Sequence, residues 1–209
     1  MIKFVLVNYN FTPNWVKDYT DDYLIYDRSD SKEYLKDFNQ NKVIYTSNVG
    51  NADYDKLSYL VDNYYNLPEV FVWSKSNLFK FIYPDEFNRV KDNKDFTPLL
   101  KRDHRTYADS FGQVCYYDDN WMYNERNDNW YLHSHPAKYF RNYKEFANEF
   151  GLPNPQFIPF APGGSYILTK ERVHRYSRDY YDKMRQILPW CQLPGEAHMT
   201  ERSYYSIWS

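Results

Sequence analysis

The stretch VIYTSNVGNADYDKLSYLVDNYYNLPEVFVW, residues 43–73, carries the pattern that decides the fold. Val43–Thr46 is a short β-branched and aromatic run, which predicts a buried strand. Four apolar residues then follow the i, i+3, i+4, i+7 spacing of an amphipathic helix: Leu57, Leu60, Val61 and Tyr64. Pro68 ends this helix, and Val70–Trp73 is a further strand. The stretch therefore predicts a strand–helix–strand unit, whose crossover makes the two strands parallel.

The residues before this stretch repeat the same arrangement. Ile2–Val7 and Tyr23–Tyr26 are predicted strands, and helical turns are predicted over Asn14–Tyr19 and, capped by Ser31, up to Phe38. Strands that alternate with helices indicate an α/β fold with a mainly parallel, Rossmann-like sheet and flanking helices. With 209 residues, the chain is expected to form a single domain, 1–209.

The region from about residue 92 to 160 is aromatic, irregular and rich in proline. It is either an elaborate loop layer over the sheet or an insert that binds an acceptor. Four elements are predicted within it or after it: a short helix over Tyr143–Phe150, a strand over Ser165–Leu168, a long helix from Thr169 to Pro189, and a final helix over Glu196–Ile207.

The composition is that of a globular protein, with 43% hydrophobic and 26% charged residues and a formal net charge of -2. This charge argues against a protein that coats nucleic acid by bulk electrostatics. Lys101–Arg105 is locally basic and is either a solvated loop or a nucleic-acid contact. Neither a signal peptide nor an apolar run of roughly 20 residues is present, so we expect no membrane span and a cytoplasmic protein.

Polar clusters follow the four N-terminal strands, and ligands of open parallel sheets bind at the carboxyl ends of strands. The clusters are Asn8–Asn10, Asp27–Asp30, Asn48–Gly50 and Ser74–Asn77. Any one of them is also an ordinary turn or cap. Their convergence at one edge of the sheet predicts a binding site there.

Several common catalytic signatures are missing from the sequence. It has no G-x-G-x-x-G, no P-loop motif and no G-x-S-x-G elbow. Cys115 and Cys191 lie in no known nucleophile context and are too few for a zinc or disulfide framework. His133 and His135 could hold a metal on a strand, but the spacing shows no third ligand.

A resemblance comes from two motifs: Asn48-Val49-Gly50, and the run from Tyr64-Tyr65-Asn66-Leu67-Pro68 to Val72. They resemble an uncharacterised family of fungi and bacteria whose layout is similar to glycosyltransferases of the GT-A fold. The resemblance covers about half of the chain and is most specific over residues 48–73. Phe160–Tyr166 and Glu201-Arg202 fit the same family more weakly.

The resemblance implies a GT-A-like domain that transfers a sugar from a nucleotide-sugar donor to a glycan or another hydroxyl acceptor. Residues 1–91 would be the nucleotide-binding half and 92–209 the acceptor half. The implied donor-binding residues are Asn8, Tyr9, Asn10, Asp27, Arg28, Asn48, Gly50 and Lys75. The implied acceptor-binding residues are Gly163, Gly164 and Trp190.

The resemblance also implies a C-terminal carboxylate that deprotonates the acceptor. Gly195-Glu196, followed by Arg202, is similar to the Gly-Glu-Asp…Arg box of inverting GT-A enzymes, but Ala197 stands at the second acidic position. Glu196 and Glu201 are therefore rival catalytic bases. Either would need burial or a neighbouring carboxylate to raise its pKa toward a useful value.

GT-A enzymes usually hold Mn²⁺ or Mg²⁺ with an Asp-x-Asp motif after the fourth strand, where this chain has Ser74-Lys75-Ser76-Asn77. Lys75 could neutralise the leaving diphosphate instead. Asp118 and Asp119 are a displaced metal pair or a surface turn. The alternatives are metal-independent transfer, a non-catalytic module that binds glycan or protein, and sugar transfer to modified nucleic acid beside Lys101–Arg105.

Overall fold

Nine strands form two sheets in the computed structural model, which describes residues 2–102 and 114–209. The strands are β1 (Lys3–Asn8), β2 (Tyr23–Asp27), β3 (Val43–Tyr45), β4 (Val70–Lys75), β5 (Thr97–Pro98), β6 (Cys115–Tyr117), β7 (Tyr123–Arg126), β8 (Phe157–Pro159) and β9 (Tyr166–Thr169). The α-helices are α1 (Asn51–Asn63), α2 (Pro84–Val90), α3 (Tyr143–Glu149), α4 (Lys170–Val173), α5 (Arg178–Gln186) and α6 (Gly195–Trp208).

The central sheet has six strands in the order β3-β2-β1-β4-β9-β5. The four N-terminal strands are parallel, as the alternation of strands and helices predicts. β9 runs antiparallel to β4 and to β5, so the sheet is mixed rather than purely parallel. The α/β class with a mainly parallel sheet is confirmed.

The register of the parallel strands brings their carboxyl ends to one edge. Asn8 of β1 lies opposite Asp27 of β2, and Val7 lies opposite Lys75 of β4. Since the loops that follow β1, β2 and β4 all leave this edge, the polar residues of those loops are held side by side. This edge is where the sheet offers a site.

The two faces of the sheet are covered by different elements. Alternate residues of β1 point to opposite faces, so Val5 and Val7 pack in one apolar core while Phe4 and Leu6 pack in another. The first core is closed by α1, α5 and α6. The second is closed by 3₁₀ turns at Asn14–Asp18 and Lys32–Leu35 and by α2. Both 3₁₀ turns lie where the sequence predicts helical turns.

The irregular region between residues 92 and 160 contains a small second sheet. Its strands β6, β7 and β8 are antiparallel and form an order of β6-β7-β8. The predicted short helix is present as α3, and the predicted final helix is present as α6, which packs against α3 and β8. The aromatic region is therefore a layer attached to the C-terminal helix.

The prediction of one long helix from Thr169 to Pro189 is wrong. The structure has two helices, α4 and α5, separated by the turn at residues 174–177. Thr169 caps α4 by accepting a hydrogen bond from Arg172 N, and Ser177 caps α5 by accepting one from Tyr180 N. The second cap satisfies N–H groups that a continuous helix would have bonded internally. Of the described helices, none is sufficiently long and apolar to cross a bilayer.

A glycine at the start of α1 allows the first core to close. Gly50 has φ +67°, and a Cβ there would lie 2.8 Å from Tyr54 Cβ and 2.9 Å from Leu188 Cβ. Gly151 has a similar φ of +64°, but no atom lies within 4 Å of its position for a Cβ. A substitution at Gly151 therefore strains the backbone alone, whereas one at Gly50 adds steric overlap with the core.

We expect Gly50→Ala to lower the free energy of unfolding by about 1–3 kcal/mol more than Gly151→Ala, since both replacements strain the backbone but the first also overpacks the core. Urea denaturation of the two variants measures the difference. Equal losses would show that the contact of α1 with Leu188 is not tight.

Candidate functional site

A cleft of about 410 Å³ opens at the carboxyl ends of β1, β2 and β4. This volume is in the range of small-molecule sites. The residues that line it are Val7, Asn8, Tyr9, Arg28, Asn48, Asn51, Ala52, Lys75, Ser76, Asn77, Gln192 and Leu193. Five of the predicted donor-binding residues are among them: Asn8, Tyr9, Arg28, Asn48 and Lys75.

Asn8 joins the three loops beneath the cleft. Its side chain is fully buried, and its Nδ2 donates to Asp27 Oδ1 at 3.0 Å and to Ser29 Oγ at 3.2 Å. Its Oδ1 accepts from Ser76 Oγ at 2.5 Å. Asp27 lies behind Asn8 and does not line the cleft. We therefore assign Asp27 to holding Asn8 in place rather than to direct contact with a ligand.

Arg28 forms a buried cationic part of the wall. Its guanidinium donates to the backbone carbonyls of Ser47 and Val49, which fixes the loop leading to α1. Its Nε lies 3.5 Å from Asp55 Oδ2, and both side chains are buried. Burial raises the pKa of the Asp55 carboxyl to about 6, although the charge of Arg28 opposes this shift.

Another part of the wall comes from the segment before α6. Gly50 N donates to Cys191 O at 2.8 Å, and Asn51 N donates to Gln192 O at 2.9 Å. Gly50 thus lies behind the cleft and holds this wall in place. Gln192 and Leu193 are wall residues that no sequence pattern indicates, because this contact joins segments about 140 residues apart.

Two other predicted donor-binding positions lie at or beyond the rim. Tyr9 is 47% exposed, so its ring is free to contact a ligand. Asn10 lies outside the cleft: its Nδ2 donates to Asp30 Oδ2 at 2.7 Å, and its Oδ1 accepts from Asp30 N at 2.9 Å. Asn10 therefore ties the loop after β1 to the loop after β2.

Lys75 connects the cleft to the interior. Its Nζ lies 3.5 Å from Glu201 Oε2, and Glu201 Oε1 accepts from Gly163 N at 2.9 Å. Burial acts to raise the pKa of Glu201, but the positive charges of Lys75 and Arg202 prevail and lower it to about 2. A carboxylate with so low a pKa is a weak proton acceptor at neutral pH.

Lys56 and Asp53, both on α1, are two further charged residues that interact with Lys75 and Glu201. Lys56 Nζ donates to Gly163 O at 3.1 Å and also to Gly164 O, and it lies 4.8 Å from the Trp73 ring centroid. Asp53 Oδ1 accepts from the hydroxyl of Tyr204 at 2.8 Å. Burial lowers the pKa of Lys56 to about 8 and raises that of Asp53. We call Asp53, Lys56, Lys75 and Glu201 the buried charge cluster.

The two predicted acceptor glycines belong to the interior. Gly163 and Gly164 have φ values of +85° and +59°, and both are buried. A Cβ on Gly163 would lie 2.8 Å from the Phe81 ring, and one on Gly164 would lie 3.0 Å from Lys56 Nζ. The close approach that they allow is to protein groups, and their carbonyls receive the Lys56 ammonium.

The buried Glu196 and the half-buried Trp190 form a separate contact. Glu196 Oε1 accepts from the backbone N–H groups of Lys138 and Tyr139 at 2.6 and 2.7 Å. Its Oε2 accepts from Trp190 Nε1 at 3.3 Å. This carboxylate holds residues 138–139 against the start of α6. Trp190 does not line the cleft.

Arg202 is also a structural residue of α6. Its Nε donates to Glu125 Oε1 at 2.6 Å, and its guanidinium lies 4.6 Å from the Tyr131 ring centroid and 4.8 Å from that of Phe160. All of these side chains are buried. The pair therefore fastens α6 to the small sheet, since β7 carries Glu125.

The predicted metal ligands lie away from the cleft. Asp118 accepts from Asn120 N and Met122 N at 2.9 and 3.0 Å in the turn between β6 and β7, and Asp119 is exposed beside it. His133 ends the 3₁₀ turn Trp130–His133, and His135 stacks on His198 at 4.5 Å, so this pair is not on a strand.

Within residues 2–102 and 114–209, no three His, Cys, Asp or Glu side chains are grouped to hold a metal. Of the basic segment Lys101–Arg105, residues 103–105 lie outside the described ranges. No family model, curated protein or solved structure matched the chain, so the interpretation of the site depends on its own geometry.

We expect Lys56→Met to destabilise the fold by about 3–5 kcal/mol, because it leaves Asp53 and Glu201 buried with less compensating charge. Urea denaturation checks this loss. The matched control is Lys36→Met, which removes an exposed lysine and is expected to leave the denaturation midpoint unchanged. A denaturation midpoint for Lys56→Met equal to that of the control would contradict the proposed contribution of the buried charge cluster to stability.

The lowered pKa of Glu201 predicts a pH dependence. Folding holds this pKa below its ordinary value of 4.5, so the stabilisation is present above pH 4.5 and is lost as the pH falls toward 2. Glu201→Gln should lack this part of the acid transition. Thermal unfolding of the wild type and of Glu201→Gln is measured between pH 2 and 6. Parallel curves of unfolding temperature against pH would contradict the lowered pKa of Glu201.

Proposed function

We propose that the protein is a GT-A-like glycosyltransferase that binds a nucleotide-sugar donor in the cleft and transfers the sugar to a hydroxyl acceptor. The observation that carries this proposal is the position and content of the cleft. It lies at the carboxyl ends of three parallel strands, and it gathers Asn8, Tyr9, Arg28, Asn48 and Lys75. The mainly parallel sheet and the resemblance over residues 48–73 also support it.

The charges of the cleft favour a ligand with phosphate groups. Arg28 and Lys75 both line it, and none of its lining residues in the described ranges is acidic. The N-terminal residues of α1, Asn51 and Ala52, lie in the same wall, where the helix dipole adds a partial positive charge. A diphosphate between Lys75 and the start of α1 would meet the Lys75 ammonium and the positive end of the helix dipole, with no acidic residue in the described lining of the cleft.

Side-chain amides complete the recognition surface. Asn48, Asn51, Asn77 and Gln192 all line the cleft. Each amide provides both a carbonyl acceptor and an NH₂ donor, which suits the edge of a nucleobase and the hydroxyls of a ribose or of the sugar to be transferred. Tyr9, at the rim, offers an exposed ring on which a base can stack.

The donor groups of the cleft do not fit a resident Mn²⁺ or Mg²⁺. Such cations prefer carboxylate oxygens, and the described lining offers amides, a serine and two cationic side chains instead. Lys75 occupies the strand end where the GT-A resemblance would place metal carboxylates. We therefore assign to Lys75 the neutralisation of the leaving diphosphate.

Lys75 also connects donor binding to Glu201. In the structure its ammonium keeps the pKa of Glu201 low. When a diphosphate draws the ammonium into the cleft, Glu201 loses its nearest cation and its pKa rises.

In the transfer step, the acceptor oxygen bonds to the anomeric carbon, the bond from that carbon to the diphosphate breaks, and the hydroxyl proton passes to Glu201. Glu196 is less suited, because it already accepts three hydrogen bonds.

One observation favours a second candidate, a non-catalytic binding module on the same fold. Both carboxylates proposed as bases are engaged in the structure: Glu196 by backbone amides and Trp190, and Glu201 by Gly163 and Lys75. A module would bind nucleotide or glycan without turnover. Measuring hydrolysis of UDP-glucose and GDP-mannose by wild type and by Glu201→Ala separates the two candidates.

The donor-site proposal predicts that UDP, GDP or one of their sugar conjugates binds in the presence of EDTA. Calorimetric titration measures this, with Lys75→Met expected to weaken binding roughly tenfold or more through loss of a charge-assisted hydrogen bond. Lys36→Met is the control and should bind as wild type does.

Two results of that titration would count against parts of the proposal. Absence of heat with every nucleotide, with and without Mn²⁺, would contradict a donor site. Binding that appears only with Mn²⁺ and is unaffected by Lys75→Met would contradict the role of Lys75 as the counter-charge.

A further inference from the structure

A second cavity, of about 310 Å³, lies beside the cleft and is lined mainly by aromatic rings. We call it the aromatic groove; its residues are Phe11, Trp15, Asn77, Phe79 and Lys80. Asn77 lines both the cleft and the groove, so the two cavities meet at this residue. The groove therefore adjoins the proposed donor site.

The groove is rigidly attached to the wall of the cleft. Trp15 Nε1 donates to Ser76 O at 2.7 Å, and Ser76 itself lines the cleft. The rings of Trp15 and Phe79 are 5.0 Å apart at 62°, and Phe87 packs against both at 6.3 and 5.9 Å. These contacts fix the orientation of the ring surface before any ligand arrives.

The groove also keeps an accessible apolar surface. Phe11 is 38% exposed, and Trp15 and Phe79 are half-buried. At its border are an amide, Asn77, and an exposed ammonium group, Lys80. An apolar face with a few polar groups at its edge is the usual composition of a site for an organic ligand.

The position of the groove points to the acceptor. Arg28 follows β2, whereas Lys75 ends β4, two strands further along the sheet, and Asn77 follows β4. With the diphosphate at Lys75 and the nucleoside toward Arg28 and Asn48, the groove meets the cleft through Asn77 at the β4 end, where the sugar to be transferred would lie. A molecule in the groove would therefore approach the anomeric carbon.

We propose that the aromatic groove is an acceptor subsite that binds the pyranose ring of an oligosaccharide. A pyranose has an apolar face of C–H groups, which packs on aromatic rings, and a rim of hydroxyls, which Asn77 and Lys80 can bond. The proposal rests on the proposed function, since it takes its direction from the donor site. It narrows the acceptor from any hydroxyl compound to a glycan.

Phe11→Ala tests the proposal with little risk to the fold, because this side chain is exposed. Saturation-transfer NMR is recorded with cellotriose, maltotriose and N,N′,N″-triacetylchitotriose, in the presence of UDP. We expect ring C–H protons of at least one trisaccharide to be saturated by wild type and the signal to fall at least fivefold with Phe11→Ala. The matched control is Tyr65→Ala, which removes a 77% exposed tyrosine after α1.

Titration of Phe11→Ala with UDP distinguishes this proposal from the proposed function. Unchanged UDP affinity with lost trisaccharide signal supports the subsite. Normal UDP binding with no trisaccharide signal from wild type, or a signal that Phe11→Ala does not reduce, overturns the subsite but leaves the donor site intact. Loss of UDP binding in Phe11→Ala would assign the groove to the nucleobase and would also overturn the acceptor subsite. A change in the oligomeric state of Phe11→Ala would overturn the subsite too.

Discussion

The ammonium group of Lys56 is fully buried, and its hydrogen bonds to the carbonyls of Gly163 and Gly164 hold together the parts that surround the cleft. Isolated in the apolar interior, such a charge would be costly. Asp53 and Glu201 provide the opposite charges, and Lys75 balances the second of them. The cluster thereby joins α1, the turn before β9, α6 and β4.

This arrangement gives the fold a direct connection between its interior and the cleft. Lys75 is the member that reaches the cleft, whereas Glu201 is held deeper by the backbone of Gly163. An anion bound at the strand ends would compete with Glu201 for the same ammonium. The electrostatic state of Glu201 would then depend on whether the cleft is occupied, and the proposed catalytic role of Glu201 needs this dependence.

Much of the fold could be predicted from local sequence, because the four N-terminal strands are short apolar runs and their polar ends are turn residues. The direction of β9 could not be predicted from local sequence, because a four-residue apolar run does not encode which strand it pairs with. The apolar spacing continues through the break between α4 and α5 and so predicts one helix, whereas Ser177 caps a new helix there.

The site shows the same division. Asn8, Arg28, Asn48 and Lys75 lie at or just after strand ends and could be placed by the rule of strand ends. Gln192 and Leu193 reach the cleft because backbone hydrogen bonds join Cys191 to Gly50 and Gln192 to Asn51. Glu196, Gly163 and Gly164 have residue types that suit a site, but each contacts protein groups distant in sequence, and no local pattern indicates those contacts.

A crystal structure of the protein soaked with UDP in the presence of EDTA tests the central claim most directly. The account predicts a nucleotide in the cleft, with a phosphate oxygen within hydrogen-bond distance of Lys75 Nζ and with that ammonium displaced from Glu201. A nucleotide bound elsewhere, or a diphosphate that leaves the ion pair of Lys75 and Glu201 intact, would contradict it.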